Sequence, residues 1–95
     1  MIQPTPELLE KLVIQLFDDL IDECSVKHQH MLNGTRNAAR TLVKDTIQVK
    51  QELIDRVRSL RELRDANNII EFKRLNTEVR YQSLRILERM RELGI

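Results

Sequence analysis

Glycine, proline, cysteine and aromatic residues are all scarce in this 95-residue chain, and each scarcity excludes something. Two glycines and two prolines are too few breakers for a β-sandwich, whose short strands need a turn every 8 to 12 residues or so. The single cysteine, Cys24, has no internal partner, so a disulfide-stapled secreted scaffold is excluded. Three aromatics, Phe17, Phe72 and Tyr81, offer no platform on which bases could stack. The longest apolar run is Leu12-Val13-Ile14, far short of the roughly 18 residues a membrane span needs. Met1 to Pro4 shows no basic start followed by an apolar core, so no secretory signal is expected and an intracellular location, cytoplasm or nucleus, is. Asn33-Gly34-Thr35 fits the glycosylation pattern but carries no weight in an intracellular chain.

What is present is helical. A hydrophobic content of 41% suits a packed chain rather than a disordered one. At this length only about 60 to 65% of the unfolded surface can be buried, which leaves little room for a large cleft and predicts one domain over residues 1–95. Thr5-Pro6-Glu7 reads as a helix start: a hydroxyl cap, a proline at the first helical position and an acid in the first turn. Leu9, Leu12, Val13, Leu16, Phe17, Leu20, Ile21 and Cys24 follow at helical spacing, and Leu8 and Ile14 broaden the apolar face. Asn33-Gly34 offers a left-handed end to this segment. A second stripe runs Ala39, Leu42/Val43, Thr46/Ile47, Lys50, Leu53/Ile54, Val57, Leu60, with charges at i, i+4 in Glu52/Arg56, Arg58/Glu62 and Arg61/Asp65. A third runs Phe72, Leu75, Val79, Gln82/Ser83, Ile86, Met90, Leu93 and stops at Gly94.

The second and third stripes are one residue out of phase as heptads, which forbids an unbroken strict coiled coil but not a straight helix. Asn67 tolerates a left-handed conformation, and Asn68 with Glu71 resembles a capping box. The expected fold is therefore all-α: a three-helix up-down-up antiparallel bundle with long helices near 6–32, 35–66 and 69–93, its core including Leu16, Leu20, Leu53, Val57, Val79 and Ile86. The alternative is a helical hairpin whose second helix continues through Asn67-Asn68 as a rod of about 88 Å, which would need an oligomeric coiled-coil partner.

The chemical inventory is thin. Cys24 and His28 share a helical face with Met31 beyond, but a structural zinc needs four ligands, and His30 points elsewhere. Asp18, Asp19, Asp22 and Glu23 fall on a polar face without the burial that tunes a general acid. Ser25 and His28 lack a third group, and no glycine-rich phosphate loop exists. No catalysis, cofactor, metal or small-molecule substrate is expected.

Charge is unevenly placed. Residues 1–34 hold six acids against two bases, and residues 35–95 hold fourteen bases against nine acids. The opposed signs suit an acidic first segment lying against basic later ones. Eleven of the sixteen bases are arginine, and Arg56, Arg58, Arg61, Arg64, Lys73, Arg74 and Arg80 gather near the second turn. Interleaved acids and a net charge of +1 make nucleic acid a minor reading of that cluster. Ile70, Tyr81 and Leu84 fall off the third core stripe yet align with one another, beside Arg74, Thr77 and Glu88, with Arg85 one turn from Tyr81. Either they widen the core contact or they form a second stripe, and tyrosine and arginine favour an interface. The expected function is a non-enzymatic protein–protein interaction module, a subunit or adaptor docking a partner helix face through Ile70, Arg74, Tyr81, Leu84 and Arg85. A homo-oligomeric coiled-coil scaffold and a nucleic-acid accessory role for the arginine-rich hairpin are the alternatives.

Overall fold

The computed structural model of the chain describes residues 6–28, 33–62 and 65–94. They form three helices: α1 (Pro6–His28), α2 (Asn33–Ser59), extended by a 3-10 turn over Leu60–Glu62, and α3 (Asp65–Glu92). Pairs that cross between helices fix the topology. Lys50 of α2 meets Asp18 of α1 at 2.6 Å and Arg58 meets Glu10 at 2.9 Å, so position falls on α1 as it rises on α2. Arg89 of α3 meets Asp45 of α2 at 2.9 Å, while Leu60 lies beside Leu75, giving the same reversal. Both outer helices thus run antiparallel to α2, and the chain is the expected up-down-up three-helix bundle. The long rod is not formed: the molecule measures 51 × 24 × 17 Å.

The breaks fall elsewhere than the sequence suggests. Helix α3 begins at Asp65 and passes through Asn67 and Asn68, so no turn occurs there. The chain instead reverses between the 3-10 turn, which ends at Glu62, and α3, which begins at Asp65. Asparagine tolerates a left-handed conformation without requiring it, and the stripe's phase is continuous enough to keep both residues helical. Helix α1 ends at His28, before the expected limit, and Met31 and Leu32 are outside the described residues. Gly34 and Thr35 belong to the first turn of α2, so Gly34 caps nothing. Of the two glycines, both among the described residues, Gly94 takes a left-handed φ, 81°, where its amide donates to the Arg91 carbonyl at 3.0 Å and ends α3.

Each helix contributes one buried row: Leu9, Val13, Phe17, Leu20 and Cys24 from α1; Ala39, Leu42, Thr46, Leu53, Ile54 and Val57 from α2, continued by Leu60 of the 3-10 turn; Leu75, Val79, Ser83, Ile86 and Met90 from α3. The Thr46 hydroxyl donates to the Leu42 carbonyl at 2.7 Å and Ser83 to that of Arg80 at 2.8 Å, which removes the penalty of burying them. Leu16 is half-buried at the edge of the core rather than inside it. Helices α1 and α2 approach each other most closely, joined at one end by the small Ala39, whose carbonyl accepts from the Cys24 thiol at 3.6 Å. The radius of gyration is 15.3 Å, against about 12 Å for a compact domain of this length. A slender bundle leaves each helix a wide outward face.

Candidate functional site

The outward face of α3 follows from its geometry. At 100° per residue the buried row from Leu75 to Met90 spans about 80°, and Ile70, Tyr81 and Leu84 cluster within about 60° on the opposite side. Residues so placed cannot reach the core, whatever their hydrophobicity. Ile70, Tyr81 and Leu84 are accordingly 50%, 54% and 59% exposed, which removes the wide-core account of them.

Bases line both edges of this strip. Arg74 and Arg85 flank one side, and Lys73 and Arg80 the other. The Arg85 guanidinium lies 5.7 Å from the Tyr81 ring centroid, within cation–π range, and Arg74 is held to Glu71 at 3.0 Å. Both contacts pre-order side chains next to the apolar strip, reducing the entropy lost when a partner arrives. Ile69 and Leu87, 57% and 38% exposed, add apolar surface beyond Lys73 and Arg80.

Beside this face, α2 and α3 enclose a shallow groove of about 240 Å³, with Val49 and Ile86 among its lining. Its rim is polar, including Gln48, Gln82 and the Asp45–Arg89 pair. Arg85 belongs to both this rim and the Tyr81 contact, so it joins the groove to the strip.

The remaining candidates separate. Cys24 is core, and burial pushes its thiol above the usual range, which suppresses the nucleophilic thiolate. The His28 side chain and His30 lie outside the described residues, and among the described residues no three His, Cys, Asp or Glu side chains cluster as metal ligands. Of the α1 carboxylates, Asp18 serves Lys50, Glu23 pairs with Lys27 at 2.9 Å, and Asp19 and Asp22 face solvent. The arginine cluster does not act as one unit: Arg58 reaches across to Glu10 rather than along its helix to Glu62. Arg61 and Arg64 contribute no described side chain. Sequence reading missed Leu8 and Leu12, 49% and 48% exposed, and Ile47, 49% exposed. Their spacing resembled core, and only the positions of the neighbouring helices reveal that about half of each stays exposed. No helix among the described residues is long and apolar enough to cross a membrane. No protein-family model, curated protein or solved structure matches this chain.

Proposed function

We propose that this chain is a non-enzymatic protein–protein interaction module, a small helical subunit or adaptor that holds a partner on the outward face of α3. The observation that carries this reading is the double amphipathicity of α3: a complete buried row from Leu75 to Met90, and opposite it an exposed row of Ile70, Tyr81 and Leu84. A helix that has already satisfied the bundle gains nothing in folding from a second apolar row, whereas an interface uses tyrosine, leucine and arginine as anchors. Absence of catalysis is part of the proposal. It is supported by the burial of Cys24 and by the small volume of the polar-rimmed groove, below the roughly 300 to 1,000 Å³ of ordinary ligand sites.

The test combines Tyr81→Ser with Leu84→Ser. Because both side chains are more than half exposed, the melting curve should stay close to that of the unchanged chain. Crosslinked partner capture should fall at least about thirtyfold, the consequence of removing about 2 kcal/mol of hot-spot contact. A variant that melts early, or one that keeps its partner, refutes the docking face.

A further inference from the structure

The charge on α3 identifies the chemistry of its occupant. From Ile69 to Glu88 the exposed charged side chains are four bases, Lys73, Arg74, Arg80 and Arg85, and one acid, Glu88, a turn beyond Leu84. The other two glutamates of that stretch, Glu71 and Glu78, are half-buried: Glu71 lies beside Arg56 and Ser59 of α2, and Glu78 accepts from Gln82. A narrow apolar seam edged by bases on both sides has one complement, a second helix whose own narrow seam is edged by acids on both sides.

We infer that the occupant of this face is an acidic amphipathic helix of a partner protein, seated over Tyr81 and Leu84 with its carboxylates against Arg80 on one flank and Arg85 on the other. This rests on the docking reading above. From Ile70 to Leu84 the strip runs about 21 Å, matching a partner helix of about four turns. Three other occupants fit less well. A second copy placed face to face by two-fold symmetry would bring together the four bases of each chain against a single acid of each, Glu88, which is repulsive on balance. Helices that lie on a membrane bury a broad unbroken apolar side, whereas here Lys73 and Arg80 stand between the row of Ile70, Tyr81 and Leu84 and the apolar Ile69 and Leu87. Duplex nucleic acid would engage the bases and leave Ile70 and Leu84 against phosphate, with no apolar contact made.

The experiment uses the full chain and two synthetic helical peptides of about 21 residues: one with a leucine seam flanked by glutamates, and a twin carrying lysine in place of every glutamate. Fluorescence anisotropy should show the acidic peptide binding at least about tenfold more tightly than the twin, the preference shrinking as salt rises from about 50 to about 300 mM. Replacing Arg80→Glu together with Arg85→Glu should invert the preference, and Tyr81→Ser with Leu84→Ser should abolish binding of both. Equal affinity for the twins, or binding of neither, overturns the inference. So does tighter binding to anionic vesicles or to duplex DNA, or concentration-dependent self-association that the same variants remove. Partner capture separates the two levels. Loss on Tyr81→Ser with Leu84→Ser but retention on Arg80→Glu with Arg85→Glu leaves the docking face standing and refutes the acidic helix, whereas retention by both variants refutes both.

Discussion

The two faces of α3 are built from similar residues and have opposite fates. Leu75, 2% exposed, and Leu84, 59% exposed, stand on one helix with the same side chain. The difference is rotational: nine residues place them half a turn apart around the axis, so one meets α1 and α2 and the other meets water. Hydrophobicity therefore does not assign a residue to the core; direction does, together with the presence of a neighbour in that direction. The same holds within α1, where Phe17 is fully buried and Val26 is 61% exposed.

The strongest way to break the comparison is to truncate both leucines of α3. Leu75→Ala should destabilise the bundle by about 2 to 5 kcal/mol in denaturant unfolding, since the lost methyl groups leave a cavity. Leu84→Ala should stay within about 0.5 kcal/mol of the unchanged chain. Similar losses at the two sites would mean that the rows are not divided between core and surface as described.

Cys24 extends the comparison to α1 with a chemical readout. In the folded chain its thiol should react with a disulfide reagent only as fast as the bundle opens, whereas a cysteine introduced by Val26→Cys, with Cys24→Ala, should react at the rate of a free thiol. The pH dependence has a definite sign. Burial raises the folded-state pKa of Cys24, so its contribution to stability is complete below the unfolded thiol value of about 8.5. It is lost as pH rises towards the folded value, because the unfolded chain then releases a proton that the folded chain retains. Stability relative to Cys24→Ala should accordingly decline above about pH 8.5 and be flat below it. A difference that stays flat above about pH 8.5 would contradict the burial.

The smallest expected effect concerns the helix ends. Gly34 is helical with nothing within 4 Å of an added Cβ, so Gly34→Ala should stabilise by about 0.4 to 1 kcal/mol. Gly94 has equal space but a φ of 81°, so Gly94→Ala should destabilise. A destabilising Gly34→Ala would restore the left-handed cap read from Asn33-Gly34.

Much of this was legible in the amino-acid sequence, for a physical reason. A helix turns by a fixed angle per residue, so Leu53, Val57, Val79 and Ile86 could be grouped on inner faces, and Ile70, Tyr81 and Leu84 set apart, before any neighbour was known. Pro6 and Gly94 mark helix limits through their own backbone preferences, which need no partner. Tertiary structure decided what depends on where other helices lie. It placed the reversal after the 3-10 turn at Leu60–Glu62 rather than at Asn67-Asn68, because packing overrides a weak local preference for a turn. It directed Arg58 to Glu10 and Lys50 to Asp18, pairings between residues 48 and 32 positions apart that no local spacing encodes. It also left Leu8, Leu12 and Ile47 half-exposed, since three slender helices cannot fully shield every apolar side chain that their periodicity brings near the axis.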